Sequence, residues 1–360
     1  MSLARSVASQ LERASWIRRM FEEGARLKAE RGADRIFDFT LGNPDLEPPP
    51  EVLRALERLA GQNPPGIHGY MPNAGFPEAR RAVAAHMSRL TGLPYSADHI
   101  IMTVGSAGAC NVFFHSVLDP GDEVIVFSPW FSEYPFYIAN HAGRMVEVPS
   151  GEDFLPDLDR LAAAVSPRTK AILVNSPNNP SGRVYPEEFW RALEELLSGL
   201  DHPVTVVSDE PYAPIVFDGR RTPAPAAIVR RTVVANSWSK MFAIPGERIG
   251  YLAISPQMEE ARALIDACIF SNRTLGFVNA PALWQRVVAE TLGVRPDIGR
   301  YERRRNLMYE GLRRIGYEVF RPEGTFYLFP KSPCPDDVAF IRLLVEEGVL
   351  AVPGSGFGRP

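Results

Sequence analysis

Ala171-Ile172-Leu173-Val174 runs straight into Asn175-Ser176-Pro177-Asn178-Asn179-Pro180-Ser181-Gly182. Four uninterrupted apolar residues are too few for a helix and lack the alternation of a strand with one wet face. They read as a strand buried on both faces, as inner strands of parallel sheets are. The asparagines, prolines and glycine that follow end the strand and put polar side chains at its carboxyl end. The pattern recurs at Ile100–Val104, Val124–Phe127, Val204–Val207, Thr232–Ala235 and Ile249–Ile254. Stretches with helical spacing of apolar residues, such as Ala107–Leu118 and Glu187–Leu197, lie between the runs. Strand and helix in alternation predict an α/β fold, a mostly parallel sheet covered by helices on both faces.

Residues 46–295 are expected to form this large domain. The segment Pro281–Ile315 reads as long helix, and Tyr317–Phe320, Gly324–Phe329 and Asp337–Glu347 as strand, strand and helix. That arrangement predicts a smaller α+β domain from residues 1–45 and 296–360, because Pro44 and Pro48–Pro50 mark a break before the large one.

Composition excludes several classes. With 45% hydrophobic and 23% charged residues the chain is too apolar for disorder, and a net charge of −4 gives no reason to expect nucleic acid or an anionic membrane as partner. No apolar run approaches the roughly 18 residues that span a bilayer. Cys110, Cys268 and Cys334 form no CxxC pair, and the six histidines show no metal-binding spacing, so no metal is expected and a reducing compartment, the cytoplasm, is. The Arg- and Ser-rich start is interrupted by Glu12, Glu22 and Glu23, which favours a surface helix over a transit peptide. Of 39 cationic residues only Lys28, Lys170, Lys240 and Lys331 are lysines. Lys28 lies in a charged helix, Lys170 enters a strand at its opposite end, and Lys331 sits in a Pro-flanked loop.

Ligands of open α/β sheets bind outside the carboxyl ends of the strands. Five runs end there in suggestive residues: Gly105-Ser106-Ala107-Gly108-Ala109 opening a helix, Ser128-Pro129-Trp130-Phe131, Asn175–Gly182, Ser208-Asp209-Glu210-Pro211-Tyr212, and Asn236-Ser237-Trp238-Ser239-Lys240 with Arg248 beyond. Small residues at a helix start let amides close on a phosphate. Phe131 offers a face for a planar ring. A carboxylate such as Asp209 keeps a pyridine nitrogen protonated, a desolvated lysine forms a Schiff base, and an arginine forks onto phosphate. Singly each has a plainer reading, as tight turn, helix cap, core aromatic or solvated loop residue. Together on one sheet edge they point to a site.

These residues resemble class I/II aminotransferases, the fold-type I enzymes of pyridoxal 5′-phosphate (PLP), from about Ile36 to the C-terminus. Asn175–Gly182 is similar to their Asn-Pro-Asn-Asn-Pro-Thr-Gly segment, Ser208–Tyr212 to their Asp-x-x-Tyr element, and Ser237-Trp238-Ser239-Lys240 with Arg248 to their lysine signature. Leu41-Gly42-Asn43-Pro44-Asp45 and Gly69-Tyr70 followed by Gly75 match in the expected order. The resemblance implies that Lys240 carries PLP as a Schiff base and shuttles a proton between the substrate Cα and the cofactor C4′. It implies that Asp209 pairs with the pyridinium, that Tyr212 and Asn179 bond the phenolic oxygen, and that Phe131 stacks on the ring, with Trp130 one residue away. Gly105, the amides of Ser106 and Ala107, Ser237 and Arg248 would hold the phosphate. Tyr70 would reach the phosphate of a partner subunit in a homodimer, and Gly42 and Asn179 would line the substrate side.

The expected reaction moves an amino group from an α-amino acid to a 2-oxo acid. The alternatives are a PLP-dependent C–S lyase or other PLP amino-acid enzyme of the same fold, and more distantly a PLP-binding regulatory module without turnover. Two departures stand out. Ala107 falls where many relatives have a hydroxyl, with Ser106 available in its place. The family's carboxylate-binding arginine lies beyond a Pro-Gly-Ser-x-Phe-Gly segment, here Pro353–Gly358, and the chain stops at Pro360. Arg359 comes too early, so either the sequence is truncated or another arginine, with Arg273 as candidate, substitutes.

Overall fold

A computed structural model describes residues 3, 4, 7–11 and 26–358. Glu12, Glu22, Glu23 and Arg359, which figured in the sequence reading, lie outside the described residues. The strands are β1 (Phe37–Asp38), β2 (Ile100–Thr103), β3 (Glu123–Ser128), β4 (Arg144–Pro149), β5 (Thr169–Asn175), β6 (Thr205–Asp209), β7 (Thr232–Ser237), β8 (Gly250–Ile254) and β9 (Val349–Leu350). Seven of them form one sheet in the order β2-β8-β7-β6-β5-β3-β4. Pairing is parallel from β7 through β4.

Alternate residues of the inner strands serve two different cores, which is why their sequences do not alternate. Ala171 and Leu173 of β5 pack with Val207 and Ala235 beneath the helices Gly105–Val117 and Ala261–Thr274. Ile172 and Val174 face the other way, into Phe189, Trp190 and Leu193 of the helix Glu187–Ser198. Toward β2 the second face is covered by the helices Pro50–Gln62, Pro77–Thr91 and Ala282–Thr291.

Four details differ from the sequence reading. The run Ile249–Ile254 reads like its parallel neighbours, yet β8 is antiparallel to both β2 and β7; burial on two faces, not direction, makes a run apolar. Strand β4 escaped notice because polar Arg144 and Glu147 interrupt it at the sheet edge. The segment Pro281–Ile315 is two helices, Ala282–Thr291 and Ile298–Arg314, since Gly293 and Pro296 break the first and the Asp297 side chain caps the second by accepting from Arg300 N. The stretches Tyr317–Phe320 and Gly324–Phe329 form no ladders. Only single bridges, Val319 to Pro330 and Val216 to Gly324, occur there, because Pro322, Pro330 and the turn at Thr325 interrupt pairing.

β1 pairs in parallel with β9, bringing Ile36 against Leu350 and joining residues far apart in sequence. Among the described residues no helix is long and apolar enough to cross a membrane.

Candidate active site

Two successive antiparallel pairings return β2 to the direction of β7, so the carboxyl ends of β2, β3, β5, β6 and β7 all open on one edge. A cavity of about 260 Å³ lies there. Gly42, Ser106, Ala107, Phe131, Asn179, Asp209, Tyr212, Ser237, Lys240 and Arg248 all line it, as the sequence reading expected of one site.

Asp209 closes β6 at the base of the cavity and is almost fully buried. Burial pushes its carboxyl above the ordinary range, opposed by hydrogen bonds from the Ser106 hydroxyl and from Tyr134 Oη at 2.6 Å. Asn175 ties the neighbouring strand end to it. Its Nδ2 donates to the Asp209 carbonyl at 2.8 Å, while its Oδ1 accepts from Asn179 N at 2.7 Å. The site carboxylate and the Asn179 loop are thus held by one side chain.

Lys240 follows β7 and extends its Nζ to the Gly42 carbonyl at 2.6 Å. Desolvation, helped by the nearby Arg248 cation, pulls its pKa from 10.5 down to about 8. A buried amine so lowered is neutral often enough to attack a carbonyl. Tyr212 lies 5.9 Å from that amine, measured to the ring centre, and its hydroxyl meets Tyr327 Oη at 2.7 Å and the Asn179 side chain.

At the other end, the helix Gly105–Val117 starts without any capping side chain, leaving its first amides to an anion. Gly105 has φ +77, and a Cβ there would stand 2.7 Å from an Arg248 guanidinium nitrogen. Glycine is therefore what lets Arg248 lie across the helix start, where it reaches the Pro245 carbonyl at 3.0 Å. A carboxylate at one end, an amine between, and a cation with free amides at the other suit a flat heterocycle bearing an anionic arm.

The chain belongs to the class I and II aminotransferases. The model of that family matches residues 34–360. The probable aspartate/prephenate aminotransferase of Thermus aquaticus is 39% identical over 337 residues, covering 91% of this chain and 85% of that protein. The aspartate/prephenate aminotransferase of Thermus thermophilus is 37% identical, covering 92% and 86%. Among solved structures, an aminotransferase from Eubacterium rectale superposes with a TM-score of 0.95 at 36% identity, over 100% of this chain and 92% of that one. The Thermus thermophilus aspartate aminotransferase with maleate gives 0.87 at 34% identity, over 99% and 92%. The chain is accordingly an enzyme that transfers amino groups.

Within this aminotransferase chain Gly105 backs Arg248 without itself lining the cavity, and two further expected residues stand apart from it. Tyr70 is 93% exposed, and Arg273 sits on an exposed helix face with its guanidinium 5.6 Å from the Phe270 ring centre. Sequence reasoning missed Tyr134, Tyr137 and Tyr327, which line the cavity. Tyr134 comes three residues after Phe131, a spacing that was readable. For Tyr327 no signal existed, because its segment was read as a strand.

Proposed function

We propose that this aminotransferase uses PLP bound covalently through Lys240, and that it passes the amino group of an α-amino acid to a 2-oxo acid. The observation that carries this reading is the Lys240 amine, lowered to about 8 in a cavity that ends in Asp209 on one side and an uncapped helix start on the other. Once bound, PLP supplies an electron sink for charge developing at the substrate Cα.

The protein's part follows from its residues. Asp209, kept hydrogen-bonded by Ser106 and Tyr134, holds the ring nitrogen protonated. The amides of Ser106 and Ala107, with Gly105, Ser237 and Arg248, hold the phosphate. Phe131 covers the ring face, and Asn179 and Tyr212 donate to the ring oxygen. Lys240, whose burial favours the neutral amine, would take the proton from the substrate Cα and deliver it to C4′; positioned proton transfer of this kind gives about 10²–10⁴-fold. Gly42 lines the substrate side, and the space a Cβ would take there is filled by Tyr327.

A homodimer in which Tyr70 reaches the partner's phosphate is part of this reading, supported by the exposure of Tyr70 and of the apolar Phe39 and Leu41. We also take residues 1–45 with 296–360 as one small domain, supported by the β1–β9 pairing. A cytoplasmic location is supported by three free cysteines. The names of the relatives make aspartate the first donor to try.

The test is the visible absorbance of the PLP-loaded protein as single amino acids are added. Loss of the lysine-bound cofactor band, reversed by a 2-oxo acid, supports the reading and names the donor. A band that no amino acid discharges overturns amino transfer while leaving PLP binding in place.

A further inference from the structure

Tyr327 and Tyr212 are 115 positions apart in sequence, yet their hydroxyls lie 2.7 Å apart beside the cavity. The placement is built. Thr325, two residues earlier, is fully buried at φ +63, a conformation that β-branched residues rarely adopt. Its N–H donates to the Ile215 carbonyl at 2.9 Å and its Oγ1 accepts from Tyr327 N at 3.2 Å, so the strained turn aims the Tyr327 ring. Backbone strain held in this way gathers at functional sites. From the other side, a Cβ on Gly42 would come within 2.6 and 2.7 Å of Tyr327 ring carbons, so the phenol is seated against bare backbone. The carbonyl of that same glycine holds the Lys240 amine at 2.6 Å.

A phenol has one hydrogen to give and two lone pairs to receive. Burial pushes the Tyr327 hydroxyl up to about 12 and the Tyr212 hydroxyl well above its ordinary value, so both keep their hydrogens at neutral pH. One must therefore donate to the other. An anionic oxygen in the cavity claims the Tyr212 hydrogen, because charge-assisted bonds are the stronger. Tyr327 is then left to donate to Tyr212.

We propose that Tyr327 is a positioning residue: it donates to the Tyr212 oxygen and so turns the Tyr212 hydrogen into the cavity, toward the ring oxygen of the bound cofactor. This rests on the PLP reading given above. Hydrogen bonds in series polarise one another, so the first donor strengthens the second. A stronger donor at the ring oxygen draws electron density from the lysine–cofactor linkage and lowers its affinity for a proton.

The experiment loads PLP onto the unaltered chain, Tyr327→Phe, Tyr212→Phe and the double variant, and titrates the visible band with pH in the absence of substrate. Tyr212→Phe raises the midpoint. Tyr327→Phe raises it by roughly half a unit, about threefold in proton affinity, and adds nothing once Tyr212 is already Phe. No shift in Tyr327→Phe, or an equal shift in both backgrounds, overturns the relay with cofactor loading intact. If Tyr327→Phe does not fold, Gly42→Ala displaces the phenol instead; the same upward shift supports the relay and an unchanged midpoint overturns it. Failure of the unaltered chain to take up PLP overturns the reading of the site, and the relay with it.

Discussion

Tyr134 Oη donates to Asp209 Oδ2 at 2.6 Å, and both side chains are closed off from water. Burial pushes the Asp209 carboxyl up, and the bonds from Ser106 and Tyr134 hold it back. Tyr134→Phe removes one of these donors and leaves ring packing against Phe131 in place. The carboxyl then takes a proton at higher pH, and a protonated acid no longer forms an ion pair with a pyridinium. The acid limb of kcat/KM against pH moves upward by about one unit, with the plateau little changed. An acid limb in the same place shows that Tyr134 does not support Asp209.

Lys240 predicts a stability effect with a definite sign. Its pKa is depressed in the folded chain to about 8 from 10.5. Between those values the unfolded chain binds more protons, so stability rises with pH through that window and the burden of the buried cation is full below it. Lys240→Met in the PLP-free protein should therefore raise Tm at pH 7 by on the order of a few degrees, and the gain should vanish near pH 10.5. A gain independent of pH would trace to packing instead of charge.

The same depression governs cofactor capture. At pH 8 about half of the Lys240 amines are neutral, against roughly one in 300 for a lysine at its ordinary value. The rate of PLP uptake, followed by absorbance under stopped flow, should climb steeply from pH 6.5 and level off above about 8. A rate still climbing tenfold per unit at pH 9.5 would mean that the amine is not desolvated.

Gly250→Ala tests how β8 approaches the helix start. A Cβ there would lie 2.5 Å from the Asn236 carbonyl oxygen and 2.6 Å from the Gly105 carbonyl carbon, with backbone on both sides and no flexible side chain to yield. The substitution should cost about 3 kcal/mol or more in urea unfolding and loosen Arg248, which lies over Gly105. Gly246→Ala, with open space around its Cβ, is the control and should change stability by under about 0.5 kcal/mol.

The inner strands and the residues at their ends were legible because two-sided burial writes uninterrupted apolar runs, and the site chemistry follows each run within a few positions. Asp209 and Lys240 could be singled out on that ground, whereas the roles expected of Asn179 and Tyr212 came only with the family resemblance. What escaped was set by tertiary contact. Nothing near Tyr327 in sequence tells that a strained turn at Thr325 sends its ring to Gly42, and the edge strand β4 lacks the apolar run because only part of it is covered. Gly293 and Pro296 were readable as a break, but the charged face of Ile298–Arg314 concealed it.

Arg305 of that helix gives the last prediction. It is 3% exposed and forks onto Asp218 at 2.9 and 3.0 Å, while its NH1 also donates to the Pro322 carbonyl at 2.6 Å. The loop from Pro322 to Tyr327 is thereby pinned to the helix. Arg305 holds the Asp218 carboxyl below its ordinary range. Asp218→Asn keeps the shape and the left-handed backbone at φ 56 but leaves a buried cation short of its counter-charge. Sealed pairs lose 3–5 kcal/mol when broken, but the Asp218 side chain is 39% exposed and water screens it, so about 1–2 kcal/mol is expected. Because the pKa is depressed, that contribution is present above 3.8 and fades as pH falls through the lowered value, so the two proteins should converge in acid unfolding. Arg305 keeps its bond to the Pro322 carbonyl but is held less firmly, and that loosening should also reach the site, weakening the Tyr327–Tyr212 contact and raising the visible-band midpoint in the direction expected for Tyr327→Phe. A stability loss with an unmoved midpoint would show that the Thr325 turn holds Tyr327 without Arg305.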